Sequence, residues 1–135
     1  MSADHALQTA VRLRLVATPA VTAHVPATSI LDINQRPAPT PSVIIGEGQS
    51  VEGDRTDRRD QRVFLTLHIW KKEPGLVGVK DIAGAIRTAL HSARLTATGW
   101  HVGDCRVSSM RFLRDPDGET AHGVVTVEAL MVEIA

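Results

Sequence analysis

Apolar residues recur along this chain with two different periods, and the places where one period gives way to the other mark its elements. Over residues 3 to 16, Leu7, Val11 and Leu15 stand four apart, Ala6, Ala10 and Leu13 widen the stripe, and Asp4, Gln8, Arg12 and Arg14 fall elsewhere. That spacing predicts an amphipathic helix capped by Ser2 or Asp4. Thr18-Pro19 ends it, because the residue before a proline is steered away from helical dihedrals. A short helical turn fits residues 20 to 25.

Beyond Ser29 the brief apolar run Ile30-Leu31-Asp32-Ile33 is followed by Pro37, Pro39 and Pro41, a segment that is extended and unable to join a central ladder. Ser42 to Gly46 holds Val43-Ile44-Ile45 between Pro and Gly and predicts a buried strand. Glu47 to Asp60 contains Val51 as its only aliphatic residue and predicts a long mobile loop. From Arg62 to Lys72 the alternation is clean: Val63, Leu65, Leu67 and Ile69 point one way, Phe64, Thr66, His68 and Trp70 the other. After Glu73-Pro74-Gly75 the period returns to three and four, with Val79, Ile82, Ala83, Ile86, Ala89, Leu90 and Ala93 forming the stripe of a second helix that covers the sheet.

The last third reads as a hairpin with arms from about Trp100 to Arg114 and Thr120 to Ile134. Its connection, Asp115-Pro116-Asp117-Gly118, has the residues a type I turn prefers. In the final arm Val125, Val127, Ala129 and Met131 share a side, while Leu130 and Val132 break the polarity of the other, as a sheet end covered on both faces would. The order helix, strand, long loop, strand, helix, strand, strand implies an α+β fold. We expect a mostly antiparallel sheet of about four strands packed against two helices, with a long charged loop between strands, as one domain over residues 1 to 135.

Charge changes this picture by exclusion. Fifteen Lys plus Arg balance fifteen Asp plus Glu, so no net field draws in nucleic acid phosphates or an anionic membrane. Phe64, Trp70, Trp100 and Phe112 are the only aromatics, too few for a base-stacking platform. The single Cys105 permits no internal disulfide, and no segment has the length and apolarity of a membrane span.

Candidate chemistry is sparse. On one strand His101 and Cys105 stand about 13 Å apart, beyond hydrogen-bond reach, so an inert, half-buried thiol fits better than a nucleophile and base. The histidines at 5, 24, 68, 91, 101 and 122 lack metal-site spacing, although His68 and His122 can meet across adjacent strands with Asp104 nearby. Gly46-Glu47-Gly48 lacks the third glycine of a dinucleotide loop, where Val51 stands, and would set Glu47 against a phosphate. Gly75-Leu76-Val77-Gly78, beside Lys71 and Lys72, has the outline of an RNA clamp loop, but its aliphatic middle suits a helix entry packed on the core. Asp115, Asp117 and Glu119 supply too few ligands for calcium.

The series Glu52, Asp54, Arg55, Asp57, Arg58, Arg59, Asp60 and Arg62 sets four acids among four bases in eleven residues. It is either a solvated loop or a seam between subunits, where self-complementary charge selects partner and register. No acid, base and nucleophile converge, so neither an enzyme nor a cofactor is expected.

Several of these features occur together in an order that resembles the tail-completion or tail-terminator family of long-tailed bacteriophages and gene transfer agents. The matching pieces are the N-terminal helix ending near Val16, Pro41-Ser42-Val43-Ile44-Ile45-Gly46, Leu67-His68-Ile69-Trp70, and Gly75 leading to Asp81-Ile82, Ile86 and Leu90. The hairpin from Arg114 to Gly123 completes them. Ser42 departs from the aromatic expected after the proline, and the charged loop is long.

The resemblance implies a virion protein of the tail or neck, assembled in the bacterial host cytoplasm. It would form a homo-oligomeric ring, usually of six, at the head-proximal end of the tail tube. There it would stop polymerisation of the tail tube protein and present a surface to the head-side connector or neck protein, with DNA passing through the lumen without sequence-specific binding and with no membrane contact. Because an alternating strand displays Phe64 and Trp70 away from its aliphatic face, either a helix or another subunit must cover them. The charged loop and the sheet edge near Val43 are the expected contact patches of a head-to-tail ring. Two alternatives remain: a head-side neck adaptor of the same assembly, and a small ligand-binding or hydrolytic domain using His68, His101, Cys105 or His122.

Overall fold

The computed structural model describes residues 1 to 33 and 38 to 134. Pro37 therefore lies outside the described residues. Helix α1, Ala3–Val16, starts where predicted: the Ser2 hydroxyl accepts a hydrogen bond from the His5 amide at 3.2 Å, and Asp4 places negative charge in the first turn. It buries Ala3, Ala6, Leu7, Ala10, Val11 and Leu15. Leu13, expected in that stripe, is 58% exposed, because two residues past Val11 the helix has turned about 200° away from the core. Pro19 opens the short α2, Pro19–Thr22, which buries Val21. A single 3-10 turn, Ala27–Ser29, delivers the chain to β1, Ile30–Leu31.

Four longer elements of sheet and one helix follow: β2 Ser42–Glu52, β3 Asp60–Lys72, α3 Val77–His91, β4 Trp100–Arg114 and β5 Thr120–Glu133. Among the described residues the sheet has five strands in the order β1-β2-β3-β5-β4, one more than expected, because two residues of the Ile30 run pair in parallel with Val43 and Ile44. The remaining pairings are antiparallel. Val63, Leu65, Leu67 and Ile69 of β3 and Val125, Val127, Ala129 and Met131 of β5 face α1 and α3, and all are essentially inaccessible. Burial of each of the larger side chains here contributes about 1.5–3 kcal/mol over exposure, so this helix-covered face is where the fold is held.

Half of the long loop expected from Glu47 to Asp60 is strand. β2 continues to Glu52, β3 begins at Asp60, and only residues 53 to 59 connect them. Every residue from Gly46 to Glu52 is exposed, so no apolar alternation marks this half of β2 in sequence. The ladder to β3, from Gly48 against Leu65 to Glu52 against Gln61, holds it extended. Gly46 and Glu47 form a bulge in that ladder, two residues against one on β3.

The hairpin arms and turn agree with expectation. The Gly118 amide donates to the Asp115 carbonyl at 3.0 Å, and Asp117 Oδ1 accepts from the amides of Glu119 and Thr120 at 2.8 and 2.9 Å. Arg114 braces the start of α3 by donating to the carbonyls of Glu73, Pro74 and Gly75, which makes the Gly75–Gly78 segment a packed helix entry. Leu76 packs on the core there, while Val77 is exposed. Leu130 and Val132 are only half-buried on the sheet face away from the helices, opposite Arg62 and Asp60. No helix among the described residues covers that end of the sheet.

Candidate functional site

The outer face of the sheet, turned away from α1 and α3, is built by alternate residues of four strands. Register places Ile44, Gln49 and Val51 of β2 beside His68, Phe64 and Arg62 of β3, with Val124, Glu128 and Leu130 of β5 on the far side. β4 adds His101, Arg106, Ser109, Arg111 and Leu113. Phe64, Thr66, His68, Trp70, His122 and Val124 are all half-buried. Phe64 and Trp70 thus lie where the strand alternation put them, on a face that no helix covers among the described residues. Ser42, standing where an aromatic was expected, is fully buried and in register with Trp70.

A side-chain cluster occupies the upper part of this face. His68 on β3 and His122 on β5 are diagonal neighbours, and their facing nitrogens, Nδ1 of His68 and Nε2 of His122, lie 2.8 Å apart. The His122 ring stacks on Trp70 with centroids 3.8 Å apart and an interplanar angle of 8°. On the far side of His68, Nε2 meets Glu47 Oε1 at 2.7 Å. The meeting of His68 and His122 was legible in the strand pattern. The acid that joins them is Glu47, delivered by the β2 bulge, and not Asp104. Glu47 holds the far nitrogen of His68, so the three groups form a hydrogen-bonded chain instead of converging on a point where a metal would sit.

Gly46 completes the cluster by what it lacks: a Cβ there would stand 2.6 Å from His68 Cδ2. The bond from His68, followed by the bond from its own backbone amide, holds the Glu47 carboxyl below its ordinary 4.5. Burial first, then the charge of His68, holds the His122 imidazole below 6.5 against the opposing pull of Asp115 and Glu47.

The charged series divides among several environments. Arg62 leaves the loop for the outer face, where it meets Glu128 Oε1 at 2.6 Å, and Arg106 reaches Glu128 Oε2 at 3.3 Å. Arg55 and Asp57 pair with each other at 2.5 Å, and Asp57 Oδ1 also accepts from the Arg59 amide at 3.1 Å. Glu52, Asp54, Arg58 and Arg59 are exposed, and Arg58 adopts a φ of 60°. The loop is tied at both ends, since the Gly53 amide donates to the Asp60 carbonyl at 3.1 Å and the Glu133 amide to the Arg59 carbonyl at 2.7 Å.

Two of the expected contact residues are buried. Asp60 is buried against Gly53. Val43 is wholly buried, and β1 pairs with its edge. Among the described residues, the edge of β2 beyond Ile44, along Gly46 to Glu52, is open. That edge carries no apolar pattern and escaped sequence reasoning, although the two closely spaced glycines at 46 and 48 are a signal for a bulge.

His101 and Cys105 do not meet, because His101 pairs with Val132 on the outer face and Cys105 with Ala129 on the inner one. Cys105 lies in an open groove between the end of α3 and β4, beside His91, Arg94 and Asp104. Burial, then the charge of Asp104, pushes its thiol up to about 11, leaving little thiolate for nucleophilic chemistry at neutral pH. His91 is occupied elsewhere, its Nε2 accepting from the Val107 amide at 3.0 Å.

Comparison with known proteins adds a family to this geometry. The sequence profile described as tail completion protein gp17 matches residues 9 to 132. No curated protein sequence matches the chain significantly. Among solved structures, a chain from the virion of a native gene transfer agent particle superposes with a TM-score of 0.85 at 20% identity, covering 99% of this chain and 100% of that one. The bacteriophage SPP1 gp17 protein superposes with a TM-score of 0.63 at 22% identity, covering 98% of this chain and 91% of that one. At such identities the likeness concerns the fold.

Proposed function

This chain belongs to the tail completion protein gp17 family, and on that premise we propose that it is a structural protein of a phage-like virion, located in the tail or neck. Six copies form a ring at the head-proximal end of the tail tube, end its polymerisation and offer a surface to the head-side connector. Assembly takes place in the bacterial host cytoplasm, and DNA crosses the lumen without sequence-specific contacts. The protein acts by shape and makes or breaks no bond.

The observation that carries this reading, together with family membership, is the outer sheet face. Its Phe64, Trp70, Val124 and Leu130 are half-buried in the single chain, and no helix covers them among the described residues. Half-apolar faces of this kind are normally completed by a partner. A closed ring needs two unlike patches that match between neighbours. The outer face with Arg62, Phe64 and Trp70 supplies one. The open edge of β2 together with Glu52, Asp54, Arg55, Asp57, Arg58 and Arg59 supplies the other. Self-complementary charge there sets register more than affinity.

Deleting the gene tests the role: tails of uncontrolled length, unjoined to heads, are expected in electron micrographs. Tails of normal length still joined to heads would sink it. Locating the protein in the assembled particle distinguishes the tail-side position from a head-side adaptor.

A further inference from the structure

The histidine cluster is built with more care than a solvated surface requires. Three strands converge on it. Gly46 on β2 leaves the space that the His68 ring fills, the bulge turns Glu47 onto His68 Nε2, and His122 from β5 lies between His68 and Trp70. The proton count of this chain is restrictive. A contact of 2.8 Å between two imidazole nitrogens requires one proton between them. With both rings neutral, His68 donates Nε2–H to Glu47 and accepts Nε2–H from His122. With one imidazolium, on either ring, a single proton still lies between the facing nitrogens. A second imidazolium puts a proton on each of the facing nitrogens, and the contact cannot survive.

We propose that Glu47, His68 and His122 form a proton-operated latch on the outer sheet face, closed while the two imidazoles carry at most one charge and opened by the second proton. The latch rests on the geometry of this chain. Its consequence for assembly rests on the ring reading above. The half of β2 from Gly46 to Glu52 has one open edge and is exposed throughout. Besides its ladder to β3, it is held by the latch at Glu47 and by the Ser50 hydroxyl donating to Asp4 at 2.7 Å. Opening the latch leaves Glu47 on His68 but parts His68 from His122 and unseats His122 from Trp70, so the surface offered to the neighbouring copy is lost.

The charges facing the pair set the threshold. Glu47 from β2 and Asp115 from the hairpin turn favour the imidazolium of His122, whereas His68 from β3 and Arg111 from β4 oppose it. Lys72, on β3 beyond Trp70, adds positive charge at the rim.

The test uses the full chain and two readouts. Histidine NMR follows His122 and its cross-peaks to Trp70 from about pH 8 to about pH 5. The expected result is a midpoint below 6.5, with the Trp70 cross-peaks lost in the same step. An ordinary midpoint with the cross-peaks retained would overturn the latch. Sedimentation measures the oligomer over the same range. The dissociation constant of wild type is expected to rise at least ~tenfold on acidification, whereas His122→Phe, which keeps an aromatic on Trp70 and cannot titrate, changes by under ~twofold.

Equal pH sensitivity in wild type and His122→Phe would overturn the release step. An oligomer absent at every pH would overturn the ring reading, while the NMR titration still decides the latch by itself. Glu47→Gln, at an exposed position, leaves the fold intact and moves opening to lower pH, because the lost carboxylate no longer favours the imidazoliums. A shift to higher pH in that variant would also refute the latch.

Discussion

Strand β3 presents two faces that obey different physics. Val63, Leu65, Leu67 and Ile69 lie under the helices and are sealed from water, whereas Arg62, Phe64, Thr66, His68 and Trp70, one residue out of step, form a half-wet surface of ion pairs, stacked rings and a hydrogen-bonded chain. The inner face is held by non-directional burial and tolerates little loss of volume. The outer face is held by contacts that depend on geometry and protonation, each of modest worth. Within one strand, stability is concentrated on one side and the groups available for recognition on the other.

The sharpest way to break this contrast is a pair of neighbouring truncations. Leu67→Ala should cost about 3 kcal/mol in chemical denaturation, against about 0.5 kcal/mol for Thr66→Ala. Similar losses at both positions would mean that the outer face is as tightly packed as the inner one. Gly46→Ala should cost about 1–2 kcal/mol, because its Cβ would stand 2.6 Å from His68 Cδ2. The accompanying signature is an upward shift of the His122 midpoint, as displacement of His68 removes part of its opposing charge.

His122→Ala removes the ring stacked on Trp70 and should cost about 1 kcal/mol near neutral pH, measured by the denaturant midpoint. The pH dependence has a definite sign. His122 in the fold stays neutral below its ordinary 6.5, so the unfolded chain binds the proton more readily. Its stabilising contribution is complete above pH 6.5 and is lost as pH falls from there through the lowered folded value. Denaturation curves of wild type and His122→Phe should therefore diverge on mild acidification, with wild type losing more. Arg62→Ala is expected to cost as little as Thr66→Ala, about 0.5 kcal/mol, because Glu128 keeps Arg106 and Arg62 is half-exposed.

Strands and helices whose one side is buried announced themselves in sequence. The alternation from Val63 to Ile69, the three-and-four stripe from Val79 to Leu90, and the Asp115-Pro116-Asp117-Gly118 turn all reappear in the structure. The outer half of β2 did not, because exposed Gly46 to Glu52 has no apolar period and is extended only through its ladder to β3. β1 was missed for a related reason: two residues are too short for any period, and the parallel partner lies thirteen residues further on. The histidine cluster was half legible. Alternation put His68 and His122 on one face, but the bulge that brings in Glu47 depends on a register shift that residue spacing alone does not specify.

Local periodicity and turn chemistry, properties of neighbouring residues, thus determined the class of fold, the helix-covered core and the face that carries the aromatic residues. Tertiary structure decided the length of β2, the open edge beyond Ile44, and the chain of contacts from Glu47 through His68 to His122 and Trp70. Those features require three strands in a particular register, and register between strands far apart in sequence is fixed only when the whole sheet closes over its core.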